Sequence, residues 1–287
     1  MPEAEIGIIG GSGLYEMEGF TDTRPVAVDT PFGDPSDEYI LGQLEGRKVA
    51  FLPRHGRGHR LLPHEINSRA NIYGFKKLGV KWLISMSAVG SLKEELRPTD
   101  VVIPDQFYDR TKTRKDTFFG EGVVAHVSFG DPVCRGMFKI LIQSAREGGA
   151  VVHEGGTYVN MEGPAFSTRA ESNTYRKLGF DVVGMTNLTD AKLAREAEMC
   201  YVTLAMVTDY DCWKEDAEEV SVETIIRVLE QNALMAQKII KLAVEKIPAE
   251  QDCECARALE TAILTRPEAI SEEAKQRLEA IIGKYLK

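Results

Sequence analysis

Ile6-Gly7-Ile8-Ile9-Gly10-Gly11-Ser12-Gly13-Leu14 is the stretch on which the fold turns. A short apolar run closed by glycines reads as a buried strand that ends in a turn. Runs of the same kind recur at Val49–Leu52, Trp82–Ser85, Val101–Ile103, Asp181–Val183 and Tyr201–Met206, all rich in Val, Ile and Leu. Between them lie stretches with helical spacing and polar faces at Ile66–Leu78, Val133–Arg146, Arg169–Leu178 and Asp190–Glu198. Strand and helix alternating at this rhythm predict an α/β fold, a largely parallel sheet covered by helices on both faces.

From Ser221 the period changes. Val222, Ile225, Ile226, Leu229, Ala233, Ala236, Ile239, Ile240 and Ala243 recur at threes and fours, which predicts one long helix with Ser221 as its N-cap and Pro248 beyond its end. A second amphipathic helix is expected over Ser271–Leu286. No internal repeat or flexible linker interrupts the chain, so residues 1–287 read as a single domain with carboxy-terminal helices from about 221 packed on its flank.

The 287 residues carry 35 basic and 44 acidic side chains, a net charge of −9, which argues against a nucleic acid or an anionic membrane as partner. Hydrophobic residues make up 43% and charged residues 28%, which places the chain in the globular range rather than the disordered one. Met1-Pro2-Glu3-Ala4-Glu5 does not form a basic segment leading into an apolar one, and no run approaches the roughly 18 apolar residues of a membrane span. The expectation is a cytoplasmic protein. Of the cysteines Cys134, Cys200, Cys212, Cys253 and Cys255, only the last two are neighbours, and their single-residue spacing speaks against structural zinc. They read either as a local redox bridge or as two thiols on an acidic connecting segment.

Ligands of open parallel sheets bind at the carboxyl ends of strands, and five such segments carry candidate chemistry. Gly10-Gly11-Ser12-Gly13 offers backbone N–H groups and a hydroxyl to an anion, without the spacing of a dinucleotide fingerprint. Arg54-His55-Gly56-Arg57-Gly58-His59-Arg60 is either a cationic pocket for a dianion or a solvated basic loop. Ser87-Ala88-Val89-Gly90-Ser91 reads as small residues and hydroxyls in a turn after a strand. Glu162-Gly163-Pro164-Ala165-Phe166-Ser167 supplies an acceptor for sugar hydroxyls and a ring on which a base could stack. Gly184-Met185-Thr186-Asn187 and Thr208-Asp209-Tyr210-Asp211-Cys212-Trp213 add a further hydroxyl and two carboxylates, one of which is suited to general-acid work. Together they describe a site for phosphate plus a heterocycle.

Taken in this order, these motifs, with Asp105-Gln106-Phe107 between the third and fourth, resemble the 5′-methylthioadenosine phosphorylases, a branch of the trimeric purine nucleoside phosphorylases. The likeness runs from Ile6 to about Ala243. It implies the nucleoside phosphorylase fold, a three-layer α/β/α arrangement with a mixed, mostly parallel central sheet. The implied reaction is phosphorolysis of S-methyl-5′-thioadenosine to adenine and 5-methylthioribose 1-phosphate, in purine and methionine salvage. No metal or organic cofactor is implied, and inorganic phosphate is a co-substrate. By the same resemblance Ser12, Arg54, His55, Ser87, Ala88 and Thr186 would hold the phosphate, with Phe166 along the purine and Met185 at the sugar. Asp209 would protonate the leaving purine at N7 from a raised pKa. Asp211 would hold the 6-amino group, and Tyr210 between them would also bind the substrate. Ser167 and Val222 resemble determinants of the 5′ pocket, and His126 the histidine that a neighbouring subunit contributes to a homotrimer, or to a dimer of trimers.

The sequence departs from the family pattern in places. Ser12 and Ser87 stand where threonines are usual, and Asn187-Leu188-Thr189-Asp190 lacks the Pro-Glu that commonly follows the Met-Thr pair, which leaves the substrate range open toward adenosine, inosine and guanosine. A broad purine nucleoside phosphorylase is therefore the alternative within the fold. Outside it stand a dinucleotide-dependent oxidoreductase and a non-catalytic purine-binding module. Some thermophilic members carry a late Cys-x-Cys like Cys253-Glu254-Cys255, with Cys200 as a candidate partner, so the resemblance also leaves disulfides in a heat-stable trimer open.

Overall fold

The computed structural model describes residues 2–11, 17–214 and 222–286, with only the backbone given for 222–226. Ser12 and Ser221 lie outside the described residues, as does the side chain of Val222. The strands are β1 (Ile6–Gly10), β2 (Thr21–Val26), β3 (Tyr39–Leu44), β4 (Arg47–Pro53), β5 (Trp82–Ser91), β6 (Val101–Ile103), β7 (Gln106–Arg110), β8 (Val152–Glu154), β9 (Thr157–Met161), β10 (Val182–Gly184) and β11 (Cys200–Asp209). They form one sheet in the order β2-β3-β4-β1-β5-β10-β9-β7, with β11 also paired to β5 and with β6 and β8 following it. The pairs β1–β4, β1–β5, β5–β11, β9–β10, β7–β9 and β6–β8 are parallel and the remainder antiparallel, so the sheet is mixed and mostly parallel.

Two apolar clusters lie on opposite faces of the sheet. On one face α1 (Ser68–Leu78), α4 (Asn187–Glu196), α6 (Glu272–Arg277) and α7 (Glu279–Ile282) bury Ile72, Phe75, Leu193, Leu278 and Ile282. On the other, α2 (Arg135–Glu147) and the long α5 (Val222–Lys246) bury Met137, Leu141, Ala236, Ile239 and Ile240. The long helix thus forms a layer of the sandwich. The helix expected over Ser271–Leu286 keeps its N-cap, with the Ala274 N–H donating to the Ser271 hydroxyl, but breaks at Leu278 (φ −102°, ψ 12°). The break lets Leu278, Ile281 and Ile282 all turn into the core beside α1. α3 (Arg169–Lys177) starts at Thr168 with a capping box completed by Glu171.

The decisive topological feature lies along β5. On one edge, residues 82–85 pair with β1 and residues 90–91 with β10, while its other edge pairs with β11 throughout. Met86 to Val89 therefore have no strand partner on the first edge among the described residues. β1 ends at Gly10 and β4 at Pro53, beside that opening. The expectation that Ser87–Ser91 forms a turn after the strand is corrected here, because pairing with β11 as far as Gly90 and with β10 at Gly90 and Ser91 carries β5 through Ser91.

Close packing fixes the glycine at the end of β10. A Cβ built on Gly184 would lie 1.8 Å from the Tyr158 hydroxyl, and Tyr158 is fully buried. Gly184→Ala should therefore destabilise the chain by about 1–3 kcal/mol through overpacking, read as a lowered urea midpoint. A midpoint equal to that of the parent would mean that Tyr158 is not locked in place.

Candidate active site

Arg54 is the centre of the site. It follows directly on β4, is 2% exposed, and directs its guanidinium into the opening beside β5. Nε donates to Asp190 Oδ2 at 3.1 Å, Nη1 to the Met86 carbonyl at 2.8 Å, and Nη2 to the Ile9 carbonyl at 3.4 Å and to the Ser85 hydroxyl. Asp190 is fully buried on α4. Burial pushes its carboxyl up, and the Arg54 charge pulls it back. Of the five N–H groups a guanidinium offers, four are taken by these partners, which leaves one on Nη1.

Around that arginine the hydroxyls converge. Ser87 Oγ lies 3.1 Å from the Tyr158 hydroxyl, and the N–H and hydroxyl of Thr186 lie against the same phenol oxygen. Tyr158 thus joins two residues that the sequence reading placed in one anion site. Thr186 is the N-cap of α4, so the partial positive charge of a helix terminus faces the opening as well. Its hydroxyl donates to Asn187 Oδ1 at 3.0 Å, and the Asn187 amide donates in turn to Thr203 at 3.0 Å. Ala88 is exposed on β5 next to Ser87.

His55 sits beside Arg54 with Nδ1 2.8 Å from the Leu61 carbonyl and its ring stacked on His59 at 4.3 Å. Burial, and secondarily the charges of Arg54 and Arg114, lower its pKa to about 4, so the ring is neutral at pH 7. The rest of the basic loop turns outward: Arg57 pairs with Asp37 and Glu38, and Arg60 donates to the Ser36 carbonyl at 2.9 Å. The cationic pocket therefore narrows to Arg54, with the neutral His55 ring beside it. Arg114, which the sequence reading passed over, donates to the carbonyls of Pro63 and Glu162 and ties the histidine loop to the Glu162 turn. Glu162 accepts from the Thr113 hydroxyl at 2.6 Å and from the Lys112 N–H, so it holds loop 111–114 and is not an open acceptor for a sugar.

The second half of the site lies at the end of β11. Asp209 pairs with Gly90 of β5 after a register shift, and its Oδ2 accepts from the Thr208 hydroxyl and its Oδ1 from the Asp211 N–H, both at 2.7 Å. A Cβ on Gly90 would lie 3.1 Å from Asp209 Oδ1 and 3.3 Å from Asp211 Cβ, so the glycine leaves room for both carboxylates. Burial, with Asp209 beside it, raises the pKa of Asp211, while the nearby hydroxyls of Ser172 and Ser167 pull it down. Ser167 donates to Met161 Sδ at 3.7 Å and accepts at its carbonyl from Cys212, which keeps it against the same loop. Met185 Sδ approaches so closely that a Cβ on Gly163 would lie 2.6 Å from it.

Three expected residues stand apart. Phe166 is 80% exposed. Tyr210 turns to Trp213, Lys214 and the Glu94 carbonyl. His126 donates its N–H to the Ala262 carbonyl and lines a separate cavity of about 540 Å³ with Phe119, Lys192 and Glu196. Burial holds the Glu196 carboxyl up at about 7 in that cavity, which no motif signalled.

Comparison with known proteins shows the family to which the chain belongs. Residues 5–245 match the profile of the phosphorylase superfamily. The chain is 62% identical over 283 residues to the S-methyl-5′-thioadenosine phosphorylase of Koribacter versatilis, covering 99% of this chain and 97% of that one. It is 60% identical to the protein of the same name from Geobacter sulfurreducens, covering 99% and 100%. A crystal structure of a methylthioadenosine phosphorylase from an Antarctic soil metagenomic library superposes with a TM-score of 0.95 at 52% identity, covering 98% and 99%.

Two outcomes follow from the burial. Arg54→Met leaves Asp190 without its partner and should cost about 3–5 kcal/mol of stability, measured by urea unfolding. A loss under about 1 kcal/mol would mean that the pair does not hold the opening together. His55 has a folded pKa of about 4 against 6.5 for a free histidine, so the unfolded chain binds the extra proton between these values. Stability should therefore fall as pH drops from about 6.5 toward 4, and His55→Asn, which keeps an N–H for the Leu61 carbonyl, should flatten that slope. Unfolding midpoints at pH 7 and pH 5 check this, and an unchanged slope in the variant would assign it to another group.

Proposed function

Since the chain belongs to the phosphorylase superfamily, we propose that its site performs phosphorolysis of S-methyl-5′-thioadenosine, giving adenine and 5-methylthioribose 1-phosphate. The observation that carries this reading is the pairing of two opposed halves along β5. One half gathers Arg54, Ser87, Thr186 and the start of α4 for an anion, and the other presents Asp209 and Asp211. The enzyme is a pentosyltransferase that serves purine and methionine salvage.

In this reading, phosphate lies against the spare Arg54 N–H, the Ser87 and Thr186 hydroxyls and the Ala88 backbone, and attacks C1′ from the side opposite the purine. The neutral His55 ring gives its Nδ1 proton to Leu61, so its Nε2 accepts a P–OH proton, which suits a monoanion. As the glycosidic bond lengthens, the ribose becomes oxocarbenium-like and is stabilised by the anion below it. The purine gathers negative charge, and Asp209 delivers a proton to N7. Burial, with Asp209 beside it, raises the pKa of Asp211, whose carboxyl lies next to the acid that gives up the proton. Met185 lies along the sugar, and Phe166 and Ser167 close over the purine and the 5′ group. No organic cofactor takes part, and phosphate is a co-substrate.

Among the described residues no helix is long and apolar enough to cross a membrane. A cytoplasmic setting suits a salvage enzyme. The separation of His126 from the carboxylates within one chain supports a homotrimer in which it reaches a neighbour's site.

Release of adenine from methylthioadenosine should depend on added phosphate and exceed release of base from inosine or guanosine. Phosphate-independent release would make the protein a hydrolase and remove the anion half of the reading. Asp209→Ala should lower kcat by about 10²–10⁴-fold while KM for the nucleoside changes far less. Turnover like that of the parent would move the general acid elsewhere.

A further inference from the structure

Four cysteines, of which the sequence resemblance grouped only Cys200, Cys253 and Cys255, meet at the amino-terminal end of β11, away from the proposed chemistry. Cys134 precedes α2, Cys200 opens β11, and Cys253 and Cys255 lie on the segment after α5. Their sulfurs all lie within 4.8 Å of one another, and all four are free thiols. Sequence spacing could not show this, because the fold has to bring Cys134 and Cys200 to the Cys253-Glu254-Cys255 loop. We propose that these four residues form a tetrathiolate site for a structural zinc ion.

The geometry fits that ion. Zinc–sulfur bonds of about 2.3 Å in a tetrahedron place the sulfurs about 3.8 Å apart, the scale of the observed cluster. The Cys200 and Cys253 sulfurs, at 3.2 Å, are well beyond the roughly 2.0 Å of a disulfide. Polar groups also lie close to the sulfurs. Cys134 is the N-cap residue of a 13-residue helix, so the positive end of the helix dipole lies beside its sulfur. The Cys255 N–H points at the Cys253 sulfur, and the Gln251 amide donates to the Cys200 sulfur at 3.3 Å. Hydrogen bonds of this kind to ligating sulfurs are what hold a charged metal–thiolate group in a partly buried place. Cysteine sulfur without carboxylate or imidazole selects zinc over magnesium or calcium.

The site would fasten the carboxy-terminal segment to the sheet. The Cys134 N–H already donates to the Tyr201 carbonyl at 2.9 Å, joining α2 to β11, and the cysteine loop adds the third element. The segment then runs past Glu198, which accepts from the Leu259 N–H and the Tyr285 hydroxyl, to pair Ile263 with Ala125 beside His126. A metal at the cysteines thus fixes one end of the segment that holds the His126 strand.

The test uses the full chain purified with reductant and without chelator. Elemental analysis should find about one zinc per chain, and cobalt exchanged into it should show the intense charge-transfer bands of tetrahedral thiolate coordination. The double variant Cys253→Ala/Cys255→Ala should lose most of the metal while keeping phosphorolysis, because neither residue touches the proposed site. Should that variant not fold, the parent still decides the matter. Failure of the reduced parent to bind stoichiometric zinc from a buffered excess would overturn the site, as would peptide mapping that finds these four cysteines joined in disulfides.

Discussion

A guanidinium and a carboxylate, both removed from water, hold the functional end of this sheet in shape. The Arg54–Asp190 pair is 3.1 Å long with side chains 3% and 0% exposed, so neither charge can be satisfied by solvent. Desolvating two ions is expensive, and a well-packed apolar pair would often stabilise such a position as much or more. What the charges add is specification of place. Arg54 binds carbonyls of β1 and β5 and a carboxylate of α4, so the ends of three elements must stand in fixed relation for its protons to be used. The opening at Met86 to Val89 exists because β1 stops at Gly10 and β10 joins only at Gly90. The arginine satisfies the Met86 carbonyl that the missing strand would have bound. The same side chain therefore pairs the orphaned backbone and leaves one donor unused at the opening.

How much of this was readable beforehand follows from where each signal lives. Buried strands announce themselves as Val, Ile and Leu runs, which is why β4, β6 and β11 lie close to the expected places. The strands that were missed, such as β2 with its Thr21-Asp22-Thr23-Arg24-Pro25 and β7 with Gln106 to Arg110, are largely exposed and polar, and their pairing partners rather than their composition make them strands. The fold places Arg54, Ser87 and Thr186 around one opening, although the residue that lies between the two hydroxyls, Tyr158, lay in no motif. A tyrosine in an apolar strand looks like core. Only the adjacent Gly184, too close to carry a Cβ, shows that its hydroxyl is wedged between two strand ends. Asp190 was likewise invisible, since a buried partner can be found only when its arginine's position is known. The four cysteines are the extreme case, separated by up to 121 positions and joined only by topology.

The two carboxylates illustrate a different limit. Sequence could point to both Asp209 and Asp211 but could not divide the labour between them. In the structure Asp209 accepts from a hydroxyl and a backbone N–H, while burial raises the pKa of Asp211. The Asp211 N–H bridges to the Asp209 carboxylate, so the two acids are held close together. Gly90 enforces that closeness from the opposite strand, because any side chain there would push the two acids apart.

β11 carries both ends of this design. Its last residue is Asp209 and its first is Cys200, nine residues away and therefore about 30 Å along an extended strand. Parallel sheets separate chemistry from anchoring in this way, with ligands at the carboxyl ends and stabilising contacts at the opposite side. The carboxyl end has to stay open along β5 and bears buried charge, both of which lower stability locally. The amino-terminal end, where α2, β11 and the carboxy-terminal segment converge on four sulfurs, has no such obligation and can be tied as tightly as the chain allows. A strand held rigidly at its first residue transmits that order along its whole ladder with β5, whose register from Trp82 to Gly90 is set by the same pairing. The distance between Asp209 and the hydroxyls on β5 is thereby fixed by a backbone ladder rather than by flexible side chains.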